Sequence, residues 1–234
     1  MNVLAFDCCF SAVSAAVRRS DGLLRAVRYE VLPRGNAERL FQLIDEVLVE
    51  AKLAANDIDR IAVTLGPGTF TGVRVGVAAA RALSLGLGKP VVGITSLAAM
   101  ARRAEQLLKP GEASYPMVIA VDARRDMIYL QRFEDVSGGA GDPVLSTAAE
   151  VAIDVLRTPN GPLLAVGSGG KAFAEAMRIA GYECDAKFPD LQPDALSIAE
   201  LAPKLKPLER VVPLYLRQPD VRVRETLSLL GTRK

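Results

Sequence analysis

At 234 residues, half of them hydrophobic, with 29 Lys and Arg against 27 Asp and Glu, the chain can bury a sizeable core in one large domain or two small lobes. It contains no histidine, which removes the usual general base near neutral pH and the commonest metal ligand, and so excludes Ser-His-Asp, Cys-His and His-based zinc chemistry. The three cysteines, Cys8, Cys9 and Cys184, give no disulfide framework and fit a reducing, cytoplasmic setting; neither a signal peptide nor a membrane span is expected.

Residues 3–6, 12–18 and 23–31 read as three short strands, with Ser20-Asp21-Gly22 turning the second into the third. After Pro33-Arg34-Gly35, Asn36 is the expected cap of a helix to about residue 52, whose apolar positions 40, 41, 43, 44, 47, 48 and 51 cover a wide arc. A buried strand at 59–65, a helix at 70–85, a strand at 91–94 and a helix from Ser96 follow. Pro110-Gly111 and Tyr115-Pro116 mark the expected boundary between an N-terminal lobe, 1–110, and a C-terminal lobe, 111–234. Beyond it, strands are predicted at 117–121 and 127–133, a flexible loop at 137–141, a helix at 147–157, a strand at 163–166, and helices at 171–180 and 194–202. The pattern is α/β. Residues 205–234 hold seven Lys/Arg and three Asp/Glu, so the other 204 carry 22 basic and 24 acidic side chains. A modestly basic tail on a balanced chain predicts weak direct RNA binding.

The segment Gly66-Pro67-Gly68-Thr69-Phe70-Thr71-Gly72-Val73-Arg74-Val75-Gly76 joins a strand to a helix N-terminus, where anions are well received. Its glycines spell neither G-x-G-x-x-G nor a P-loop, and Gly68, Gly72 and Gly76 at intervals of four favour close packing against another backbone. Arg74 and Arg81 fall on one stripe of an otherwise apolar helix, and with the equally apolar helix at 36–52 they predict a face that joins another protein, with a solvated surface stripe as the alternative. Asp7, at the end of the first strand, and the turn Gly167-Ser168-Gly169-Gly170 are candidate contacts for Mg²⁺ and phosphate, with capping and plain turn roles as the alternatives.

The segment at 66–76 resembles the TsaB (YeaZ) family of tRNA threonylcarbamoyladenosine (t6A) biosynthesis, as do Val3-Leu4-Ala5-Phe6-Asp7, Asn36-Ala37-Glu38-Arg39-Leu40, Gly93-Ile94-Thr95-Ser96-Leu97, Val121-Asp122-Ala123-Arg124, Val166-Gly167-Ser168-Gly169 and Pro213-Leu214-Tyr215-Leu216-Arg217. The resemblance implies an actin/Hsp70/sugar-kinase-like (ASKHA) fold, two lobes each with a central mixed sheet and flanking helices. It also implies a non-catalytic scaffold that binds the TsaD ligase and recruits the ATPase TsaE. The complex threonylcarbamoylates the adenosine beside the anticodon, with ATP and Mg on the partners, no cofactor on this chain, no membrane, and tRNA met only through the complex. In the paralogue TsaD two metal-binding His lie at positions that correspond here to Ser96 and Met100. The family often has a hydroxyl residue where this chain has Cys8 and a His where it has Asn36. The expected partner surface is Leu40, Phe41, Ile44, Leu48, Phe70, Val73, Arg74, Val77 and Arg81, which would also form a homodimer when the chain is alone. The competing expectation is an active Mg-nucleotide phosphotransferase or ATPase of the same fold, using Asp7, Gly167, Gly169 and Gly170.

Overall fold

A computed structural model describes residues 1–32, 35–109, 116–135, 139–155 and 163–217. The expected turn at Pro33-Arg34, the break at 110–115, part of the loop at 137–141, the end of the helix at 147–157 and the last 17 residues of the basic tail lie outside them.

Strands β1 (Val3–Asp7), β2 (Ala12–Arg18) and β3 (Leu24–Val31) form an antiparallel meander. Helix α1 (Asn36–Ala51), β4 (Arg60–Thr64), α2 (Phe70–Leu87) and β5 (Val91–Ile94) then add two parallel strands, giving the order β3-β2-β1-β4-β5. Every residue of β1 is buried, because the strand sits at the middle of the sheet with both faces covered. Helix α1 lays Leu40, Leu43, Ile44, Val47, Leu48 and Ala51 on the sheet beside Leu4, Phe6 and Ile61. Asn36 is the first helical residue rather than the cap; Gly35 holds the cap position in a left-handed conformation, φ 88°, that suits glycine. At 18 residues and a mean hydropathy of 1.2, α2 is long and apolar enough to cross a membrane, but here it packs on the sheet and is capped by Thr69, whose Oγ1 accepts from Gly72 N.

The plan then repeats. After α3 (Ser96–Leu107), strands β6 (Met117–Asp122), β7 (Met127–Asp135), β8 (Gly139–Ala140) and β9 (Val144–Thr147), helix α4 (Ala148–Val155), β10 (Leu163–Val166), α5 (Gly170–Ile179) and β11 (Cys184–Lys187) build a second mixed sheet of order β11-β10-β6-β7-β8, with β9 also pairing β7. Two copies of one mixed-sheet topology, each flanked by helices, make the ASKHA arrangement. Three of these strands were not predicted. Residues 144–147 and 184–187 are too short and polar to show alternation, and Gly139 and Ala140 pair with β7 inside a glycine-rich stretch that reads as loop.

The lobes exchange their third helices. Helix α3, from the first half of the chain, packs Leu97, Met100, Ala101 and Ala104 on Met117, Ile119 and Val166 of the second sheet. Helix α6 (Ala195–Leu201) packs Ala195, Ile198 and Ala199 on Val3, Ala5, Ala16 and Ala62 of the first. Polar contacts fix the exchange: Ala195 N donates to Ser14 Oγ at 3.0 Å, Arg103 Nε lies 3.2 Å from Asp194 Oδ2, and Arg102 Nε donates to Glu200 Oε2 at 2.8 Å. Residues 205–217 then run back over the first lobe as an extended strap. Leu208 N donates to Val91 O at 2.8 Å and Leu214 N to Leu65 O at 2.7 Å. A division near residue 110 therefore separates the two sheets but not their packing, since α6 and the strap belong to the first lobe's core.

Candidate functional site

The β1–β2 turn is where both readings of the first lobe meet. Asp7 is 0% exposed, and its Oδ1 accepts from Thr64 Oγ1 and from Cys9 N at 3.2 Å, while Oδ2 has no partner. Burial pushes its carboxyl up to about 6, against the hydrogen bonds from Thr64 and Cys9 that pull it down. Cys9 Sγ donates to Thr64 Oγ1 at 3.2 Å and Cys8 Sγ to Gly72 O at 3.2 Å; burial and then the Asp7 charge push both thiols up, so they act as small core residues and not as nucleophiles.

The glycine segment packs directly on that turn. Thr69 N donates to Cys9 O at 2.7 Å, and Thr69 Oγ1 adds a second bond at 3.1 Å. A Cβ at Gly72 would lie 2.0 Å from Cys8 O, and one at Gly68 2.5 Å from Cys9 O. These glycines admit the neighbouring backbone, which is the packing role their spacing suggests. In the second lobe, Gly167 at φ 102° brings the turn so close to β6 that a Cβ would meet Ala120 O at 2.6 Å. Gly169 N donates to Ala120 O and Gly170 N to Gly167 O, both at 2.9 Å. Two amides of this turn are thus already bonded within the chain. Asp7 offers one acceptor, Oδ2, but with no access to water it cannot serve a hydrated cation in this arrangement. The residues present do not fit a Mg-nucleotide, and no group of three His, Cys, Asp or Glu gathers as a metal site among the described residues. Ser96 Oγ donates to Pro67 O at 2.5 Å and Met100 packs against Gly167, so those two positions tie loops together.

Between the lobes lies a cavity of about 710 Å³, walled by Phe10 and Phe70, by Ala123 and Tyr129, and by Leu214 and Tyr215 of the strap. Its rim includes Arg124, which with Arg125 and Asp126 forms a run of three left-handed residues, φ 64°, 55° and 59°.

On α1 and α2 the expected partner residues divide. Leu40, Ile44, Leu48, Val73 and Val77 are buried in the lobe's own core, and none of them can meet a partner unless the lobe opens; their assignment to the surface is corrected. Phe41, at 48% exposure, Phe70, Arg74 and Arg81 do face outward. The two arginines are engaged with the strap: Arg74 Nε donates to Tyr215 Oη at 2.9 Å and stands 3.8 Å above the Phe70 ring, which stacks on Tyr215, and Arg81 Nε donates to Val211 O at 2.7 Å. Thr71, Ala78, Ala82 and Leu85, the last 89% exposed, complete the outer face of α2. Sequence reasoning passed over these, because on a helix apolar almost all round the composition does not say which side meets the sheet.

Residues 29–202 match the family described as "TsaD: tRNA N6-adenosine threonylcarbamoyltransferase". The chain is 31% identical to the tRNA threonylcarbamoyladenosine biosynthesis protein TsaB of Haemophilus influenzae, over 80% of this chain and 82% of that protein. The chain belongs to the TsaB (YeaZ) family. An uncharacterized protein of Mycobacterium tuberculosis is 35% identical over 94% of this chain and 93% of its own length. The solved structure of YeaZ from Pseudomonas aeruginosa superposes with a TM-score of 0.78 at 28% identity, covering 92% of this chain and 99% of that one. TsaB-family membership and the repeated mixed sheets agree with the resemblance carried by the 66–76 segment.

Proposed function

We propose that this chain is a non-catalytic subunit for t6A formation in tRNA, docking a TsaD-type ligase on the outer face of α1 and α2 and, through that complex, recruiting a TsaE-type ATPase. The observation that carries the reading is that face: Ala78, Ala82, Leu85 and Phe41 stand outward beside a core that is already filled without them. Small side chains on one helix let a partner helix approach closely, and apolar ones at an interface centre supply its burial. Alone, the same face brings two copies together about a two-fold axis. The closed β1–β2 turn and the occupied amides of the Gly167–Gly170 turn support a scaffold role, with ATP and Mg handled by the partners. The named relatives in tRNA threonylcarbamoyladenosine biosynthesis support the pathway and a cytoplasmic site of action, with tRNA reached through the complex.

Reconstitution tests this. Threonylcarbamoyl adenylate, tRNA, the TsaD-type ligase and the TsaE-type ATPase should give modified tRNA only when this chain is added, and the chain alone should neither modify tRNA nor hydrolyse ATP. ATP turnover by the isolated chain, lost in Asp7→Asn, would favour the phosphotransferase instead.

A further inference from the structure

Along the outer side of α2, Phe70, Arg74, Ala78 and Ala82 follow one another at intervals of four, and all are exposed. Side chains at that spacing are neighbours on a helix surface, so Arg74 is a charge set among an aromatic ring and two methyl groups. Its guanidinium is held from two directions. It lies 3.8 Å from the centre of the Phe70 ring, and its Nε donates to Tyr215 Oη at 2.9 Å. Tyr215 stacks on the same ring, with centroids 5.6 Å apart, and the strap is pinned one residue earlier by Leu214 N to Leu65 O.

Other arginines of the chain are neutralised within it: Arg39 by Glu30 and Glu46, Arg102 by Glu105 and Glu200. Arg74 has no acidic partner among the described residues, and the N–H groups on its Nη1 and Nη2 have no acceptor there. In the free chain the exposed group is solvated. A partner covering this row with apolar surface strips that solvent, and a guanidinium buried without an acceptor is costly. A carboxylate meets the need, since it supplies the opposite charge and can take two parallel bonds from Nη1 and Nη2. The stack on Phe70 and the bond to Tyr215 fix the guanidinium plane beforehand, which lowers the ordering cost of docking.

We propose that Arg74 is the polar anchor of the α1 and α2 face, gripping an Asp or Glu side chain of the docked ligase through Nη1 and Nη2, and that Tyr215 of the strap is its positioning residue. The proposal rests on the reading above that a TsaD-type ligase docks on this face. It adds the chemistry the ligase presents there and makes the strap part of the docking surface.

Calorimetric titration of the ligase into variants with parental melting tests it. Arg74→Gln should weaken binding about thirtyfold and Arg74→Lys, which keeps the charge but not the fork, about fivefold. Tyr215→Phe, which keeps the stacked ring but not the hydroxyl, should weaken it about fivefold. Replacing the acidic residues of the ligase one at a time by their amides should then find one that weakens binding to the parent chain and leaves binding to Arg74→Gln unchanged. Ala78→Glu reports on the face itself. If it weakens binding while Arg74→Gln binds like the parent, or if no acidic residue of the ligase is coupled to Arg74, the anchor is overturned and the docking face stands. If Arg74→Gln weakens only self-association of the chain, the carboxylate belongs to a second copy and the proposal is again overturned. Parental affinity in Tyr215→Phe overturns the strap's part. Parental affinity in both Ala78→Glu and Arg74→Gln overturns the docking face and the anchor together.

Discussion

Asp7 carries its carboxyl where water does not reach, and its Oδ2 has no partner. The folded chain holds the proton more tightly than the unfolded one, since the group rises from an ordinary carboxylate value to about 6. Native protein therefore binds more protons than unfolded protein between about pH 4 and 6, and stability contributed by the protonated form is lost as pH rises through that window. Relative to Asp7→Asn, which stays neutral, the parent should lose on the order of 3 kcal/mol between pH 4 and pH 7. Urea melts of both proteins across that range read the difference; parallel curves contradict it. Close approach at the same turn gives a second test. Gly72→Ala, with its methyl on Cys8 O, should cost ~3 kcal/mol or more, whereas Gly86→Ala, in open space on the same helix, should gain ~0.5–1 kcal/mol.

At the scale of elements, the strap and α2 hold each other through Arg74 and Arg81. Removing the bond to Val211 O in Arg81→Ala should cost ~1 kcal/mol locally, about fivefold faster exchange at the Leu214 amide, without a change in the core of the second lobe. Equal exchange in the two proteins would show that the contact does not hold the strap. The long elements were legible in the sequence because they are strongly periodic or wholly apolar: β1 at the sheet centre, α1 with its stripe, α2 after its Thr69 cap. Strands β9 and β11 were not, since their pairing comes from β7 and β10 and leaves no alternation in four residues. Site legibility had the same limit. The sequence identifies the helices bearing the outer face but not the phase of α2, so it does not separate buried Val73 and Val77 from exposed Ala78, Ala82 and Leu85. The arginine stripe was visible from its spacing, while its hold on Val211 and Tyr215 lies 130 residues or more along the chain.

For the whole molecule, the exchange of α3 and α6 makes each lobe incomplete by itself. A fragment ending at residue 110 would leave Val3, Ala5, Ala16 and Ala62 without α6 and the β5 edge without its strap. Such a fragment should lack dispersed amide resonances and a cooperative melt, while the full chain unfolds in one transition; a well-folded fragment would show that the exchange is dispensable. The same packing leaves the outer face of α1 and α2 as a surface whose residues can change without disturbing the core.

Calorimetric titration of the TsaD-type ligase with surface variants of that face tests the docking claim most directly. Ala78→Glu and Ala82→Glu place carboxylates on exposed positions, so both should keep parental melting. Each should weaken binding by ~2 kcal/mol or more, about thirtyfold, because a charge at an apolar interface centre is desolvated without a partner. Parental affinity in both folded variants would contradict the account and place the docking surface elsewhere on the molecule.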